Sequence, residues 1–121
     1  MKIADKEVNG VLVISVEGRL TAATEGLFKS ETGGLLTKSD KTVFDCSNLE
    51  YIDSTGLGVI VRFYKELKTR GGRLALAALQ PKPRLVFEIT RANKIFDIFD
   101  SLDAAIKFLK SDADSTAETE Y

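Results

Sequence analysis

Asp53-Ser54-Thr55-Gly56-Leu57-Gly58 is the stretch of the chain whose residue types and spacing point to chemistry. Asp, Ser and Thr are all preferred at helix N-caps, where a side-chain oxygen accepts from an otherwise unpaired backbone N–H. Plain capping leaves two features unexplained. The residues three positions after 53, 54 and 55 are Gly56, Leu57 and Gly58 rather than Glu or Gln, so no capping box is completed. Two glycines also fall in the first helical turn. Glycine is commonly placed where backbone is approached closely or bent unusually. A hydroxyl at a helix N-terminus among small neighbours is open to another protein's active site. Capping and a hydroxyl-acceptor role are compatible readings of the same stretch.

The rest of the chain narrows the choice by exclusion. It has no histidine and one cysteine, Cys46. This removes Ser-His-Asp and Cys-His catalysis and any zinc site of ordinary ligand type. Ile52 stands where a Gly-x-Ser-x-Gly elbow needs its first glycine. Gly56-x-Gly58 starts like a dinucleotide fingerprint, but Val61 stands where the third glycine belongs. Asp45 and Asp53 read as turn and cap residues rather than as a catalytic pair. No cofactor is expected, and the chain reads as a non-enzyme.

The helix that the stretch opens is the most regular in the sequence, over residues 56–70. Leu57, Ile60, Val61, Tyr64 and Leu67 share one face by spacing. Val59 and Phe63 lie off that face. They read either as packing against a neighbouring helix or as an apolar rim beside Ser54; solvent exposure separates the two. Gly71-Gly72 ends the helix. Before it, residues 2–8 and Val11–Val16 read as strands joined at Asn9-Gly10, a strong hairpin signal, and Gly18 reads as the strand end. An irregular helix is expected over 22–37, frayed at Gly33-Gly34, because each interior glycine costs about 1 kcal/mol relative to alanine. A strand at 41–46, another at 73–79, a helix at 82–91 behind Pro81 and Pro83, an edge strand at 95–99 and a helix at 102–110 complete the order. Strands alternating with helices indicate an α/β fold with a mixed sheet of four to five strands and about four helices.

One domain over residues 1–110 suits a chain of 121 residues. Residues 111–121 carry acidic and no basic side chains, which reads as a disordered acidic tail. The net charge of −1 and the lack of a basic arm argue against nucleic acid as partner. No apolar run approaches the ~20 residues that span a bilayer, and the start of the chain lacks a signal-peptide core. A cytoplasmic protein that binds no membrane is expected.

Tyr51-Ile52-Asp53-Ser54-Thr55-Gly56-Leu57-Gly58-Val59-Ile60 resembles the central motif of the STAS domain of bacterial anti-sigma-factor antagonists. Val16-Glu17-Gly18-Arg19-Leu20, Gly71-Gly72-Arg73-Leu74 and the stretch from Ile95-Phe96 to Ser101–Ile106 resemble other family elements, so the resemblance covers residues 2–110. It implies the STAS fold and a phosphorylation-controlled switch that sequesters an anti-sigma kinase while its serine is unphosphorylated. Carried over, Ser54 is the phosphoacceptor and Thr55 a second candidate. Asp53, Ser54, Thr55, Gly56, Leu57, Gly58, Val59 and Phe63 form the expected partner surface. The implied partners are an anti-sigma factor that is also a GHKL-type serine kinase, and a PP2C-type phosphatase. The alternative is a STAS scaffold or ligand-sensing module that works without phosphorylation in a signalling or transport complex. The chain departs from the family at Thr21, where an aspartate is frequent.

Overall fold

Every parallel strand of this chain is fed from, or returns through, a helix, and that wiring gathers the helix N-termini at one end of the sheet. The computed structural model describes residues 1–111; the acidic tail expected over 111–121 lies, but for its first residue, outside the described residues. Strands β1 (Lys2–Val8) and β2 (Val11–Leu20) form an antiparallel hairpin. Its turn residues Asn9 and Gly10 both have positive φ, 54° and 82°, as a tight hairpin turn requires. Then follow α1 (Glu25–Thr32), β3 (Lys41–Asp45), β4 (Leu49–Ile52), α2 (Ser54–Thr69), β5 (Arg73–Ala77), α3 (Pro81–Ile89), β6 (Asp97–Phe99) and α4 (Leu102–Lys110). The six-stranded mixed sheet runs β1-β2-β3-β5-β6, with β4 paired beside the C-terminal half of β2. All pairings but β1–β2 are parallel.

Helices cover both faces of the sheet, which is why Val11–Ile14 forms an unbroken apolar run instead of alternating. Leu12, Ile14, Val16, Phe44, Leu74 and Leu76 point into the larger core, with Phe28 of α1, the inner face of α2 and Phe87 of α3. Val11, Val13, Val43, Ala75 and Ala77 point the other way, onto Ala105, Ile106 and Leu109 of α4. The small Ala75 and Ala77 let α4 sit close to the sheet.

Four expectations from sequence are corrected. Gly18 does not end its strand: it sits at a bulge with φ +102°, and β2 continues to Leu20. That extension pairs with β4, a strand not expected from sequence, which raises the count to six. The first helix begins at Glu25 rather than 22 and passes into a 3-10 turn at Gly33–Thr37, which follows the glycine pair. The buried face of α2 is Gly56, Leu57, Val59, Ile60, Phe63 and Leu67, whereas Val61 and Tyr64 are only partly buried.

Candidate functional site

The chain reaches Ser54 through β4. Asp53 N donates to Leu20 O at 3.3 Å, continuing the β2–β4 pairing up to the helix start. The backbone at Asp53 is extended (φ −107°, ψ −175°), and its side chain caps α2: Oδ1 accepts from Gly56 N at 2.8 Å. Among the three candidate caps, then, the carboxylate takes the position. The other oxygen, Oδ2, accepts from Ala22 N at 3.2 Å, across 31 residues of sequence. One carboxylate therefore ties the loop after β2 to the first turn of α2. The Gly56 N–H, with smaller help from the Ala22 N–H, holds the Asp53 carboxyl below the usual carboxylate range.

Because Asp53 caps the helix, Ser54 is free of that task. It is the first residue of α2 and exposed, and its hydroxyl makes no hydrogen bond to another described residue. No side-chain base is bonded to it, so nothing activates it as a nucleophile in its own right. What it offers is an accessible hydroxyl at the positive end of a sixteen-residue helix. Thr55 is partly buried.

Gly56 explains itself. A Cβ there would lie 2.1 Å from Leu20 O and 2.8 Å from Leu20 C, so the helix rests directly on the backbone of β2. Gly58 is different: it is exposed, and a Cβ there would meet nothing within 4 Å. It lies one turn after Ser54 and keeps the surface beside that serine low.

The expected partner surface must be redrawn. Val59 and Phe63 are 6% and 4% exposed, so the reading of them as an apolar rim is withdrawn. Phe63 meets the Phe44 ring edge-on, 5.0 Å between centroids, in the core beneath α2. Leu57 is buried as well and Gly56 is covered by β2. Of the eight residues expected there, Asp53, Ser54, Thr55 and Gly58 reach the surface.

Sequence reasoning missed the loop that Asp53 holds. Thr24 Oγ1 accepts from Thr21 N at 2.9 Å and donates to Arg19 O at 2.8 Å, while Thr21 Oγ1 accepts from Ala23 N at 3.2 Å. The last bond is the turn that an aspartate at position 21 would also make. Threonine keeps the turn and leaves out the charge. The signal in sequence was the pair of hydroxyls spaced three apart just after Leu20.

The STAS domain family model matches residues 2–105. The chain belongs to the STAS domain family. Among relatives of this STAS domain, a Bordetella bronchiseptica protein named as an anti-sigma factor antagonist, BtrV, is 31% identical, over 92% of this chain and 97% of its own. An anti-sigma F factor antagonist of Paenibacillus polymyxa is 26% identical over 84% of this chain and 88% of its own. The crystal structure of a Thermotoga maritima protein described as an anti-sigma factor antagonist superposes with a TM-score of 0.83 at 29% identity, covering 90% of this chain and 95% of that one.

Proposed function

We propose that this STAS domain is an anti-sigma-factor antagonist that works as a phosphorylation-controlled partner switch in the cytoplasm. In this reading it is a binding module and not an enzyme. Unphosphorylated, it sequesters an anti-sigma factor that is also a GHKL-type serine kinase. Phosphate on Ser54 ends that complex, and a PP2C-type phosphatase restores it. The observation that carries the reading is the exposed, unbonded Ser54 hydroxyl at the start of α2, with capping delegated to Asp53.

The physical effect is one of charge. A phosphoserine adds about 1.5 to 2 negative charges. At a helix N-terminus such charge gains about 0.3–1 kcal/mol, and the neighbouring Asp53 carboxylate opposes it. Gly56 N is already bonded to Asp53, so the phosphate has no need to recruit it. The fold is expected to accept phosphate nearly unchanged. At a docked interface, by contrast, the same charge costs several kcal/mol when it is desolvated or meets like charge.

The test is capture from the native cytosol with wild type, Ser54→Ala and Ser54→Asp baits, followed by melting of each bait. A GHKL-type kinase held by wild type and Ser54→Ala but lost by Ser54→Asp, at similar melting temperatures, is the expected result. Equal capture by all three baits, or a Ser54→Asp bait that fails to fold, overturns the mechanism.

A further inference from the structure

The two faces of the sheet differ in charge as well as in packing. Residues directly opposite one another in paired strands point to the same side, and the side alternates along each strand. Lys41 and Arg73 are partners in the β3–β5 register, two residues before Val43 and Ala75, which pack on α4. Both therefore project on the α4 side, at the end of the sheet where β3 and β5 begin. The Arg73 guanidinium lies 4.9 Å from the centre of the Phe108 ring, so the last turn of α4 sits over that spot. Lys107 and Lys110 of that turn are exposed and make no ion pair among the described residues. Lys6 is opposite Val13 and faces the same side from β1.

The acids of these elements are placed differently. Asp5 and Glu7 oppose Ile14 and Leu12 and so face the α1 and α2 side, where Asp5 pairs with Lys38. Asp40 lines a hollow beside Leu67 on that same side. Glu17, Asp45 and Asp103 stand at the far end, where β2 and β3 finish and α4 begins. Asp97, opposite Ala75 on the edge strand β6, shares the face and sets one negative charge against the positive charges of Lys6, Lys41, Arg73, Lys107 and Lys110. Residues 1–110 hold 17 basic and 14 acidic side chains; residues 112–121 hold Asp112, Asp114, Glu118 and Glu120 and no base. That acidic segment follows directly on the last turn of α4, so it starts at the cationic patch. Ten residues reach about 35 Å at most, against about 14 Å for the length of α4.

We propose that residues 112–121 fold back onto the α4 side of the same molecule, where their carboxylates cover Lys41, Arg73, Lys107 and Lys110, with Lys6 at the margin. Covered in this way, the patch does not attract polyanions. Ser54 lies at the opposite end of the sheet, at the start of α2, so this cover and the proposed switch act independently.

Cys46 is buried, so a nitroxide attached at Ser115→Cys in the full chain marks the acidic segment alone. Relaxation enhancement of backbone amides is then read by NMR at low salt. Strong enhancement is expected at Lys41, Thr42, Arg73 and Leu74. It should fall at least threefold in Lys107→Gln/Lys110→Gln and in Asp112→Asn/Asp114→Asn/Glu118→Gln/Glu120→Gln. It should fall as far in wild type at about 0.5 M salt, where the screening length drops to about 4 Å. Retention on heparin should rise in the variant with the neutral tail and be lost again when Lys107→Gln/Lys110→Gln is added. The substituted lysines are exposed, so melting temperatures should stay within a few degrees of wild type. A segment that is only tethered keeps its enhancement through all of these changes, and that result overturns the proposal. So does enhancement centred on the α2 side, or heparin retention that does not respond. Enhancement in isotope-labelled chains without nitroxide, mixed with nitroxide-bearing ones, places the segment on a second copy and overturns it as well.

Discussion

Gly56 and Gly58 lie two positions apart and answer to different demands. At Gly56 a methyl group would strike Leu20 O at 2.1 Å, and both the helix and the strand are backbone-bonded in place. Overpacking costs about 1–3 kcal/mol where side chains can shift. Here backbone must move, so Gly56→Ala is expected to cost about 3 kcal/mol or more in denaturant unfolding. Gly58→Ala should instead gain about 0.5–1 kcal/mol, because an open helical position favours alanine over glycine. If the surface beside Ser54 is read by a partner, the same substitution should weaken capture while raising the melting temperature. Asp53 adds a pH signature. Its folded pKa is lowered, chiefly by the Gly56 N–H, so its contribution is fully present above the ordinary carboxylate pKa of about 3.9 and is lost as pH falls through the lower folded value. Wild type should therefore melt higher than Asp53→Asn at pH 7, with the gap closing below about pH 4.

The elements were legible in sequence to different degrees, for physical reasons. The hairpin, α2, β5 and α4 each announce themselves through turn chemistry or periodicity. β4 does not: Leu49-Glu50-Tyr51-Ile52 is four residues long, and its burial runs in-out-out-in rather than alternating. It is a strand because the extension of β2 past Gly18 offers a bonding edge, which is a tertiary fact. The face of α2 was misjudged because the helix is apolar on more than one side. Phe63 points down to Phe44, while Tyr64 turns sideways to Phe96, 5.0 Å between ring centroids. Spacing alone cannot rank two apolar stripes one residue apart. Ser54 was legible as a candidate, but the choice of Asp53 as cap required the Gly56 and Ala22 bonds. Within β3, the hydroxyl of Thr42 is fully buried with no partner in the described structure. A buried unsatisfied hydroxyl is costly, so Thr42→Val, which keeps the shape, should stabilise by about 1 kcal/mol. For a domain of this size that raises the melting temperature by about 4 °C.

At the scale of the whole molecule, the single thiol reports on how the fold opens. Cys46 is fully buried, and burial, reinforced by Asp45, pushes its pKa up to about 12. Thiolate is the reactive form, so a thiol reagent at pH 8 should label the native protein only through opening. Labelling should accelerate in Gly56→Ala and slow in Thr42→Val, in step with their stabilities. Labelling of the native protein at the rate of a free thiol would refute the packing described for β3 and its C-terminal turn.

The contact of Gly56 with the Leu20 carbonyl has a further meaning, one of time. The serine proposed as the switch sits on a helix whose first turn, at Gly56, rests directly on the backbone of β2. Helix shifts and lid motions take microseconds to seconds in proteins that signal by changing shape. A first turn seated this closely leaves little room for such a shift next to Ser54. If Ser54 is modified as proposed, the response is as fast as phosphate transfer and partner release allow, and the domain keeps no memory of its previous state.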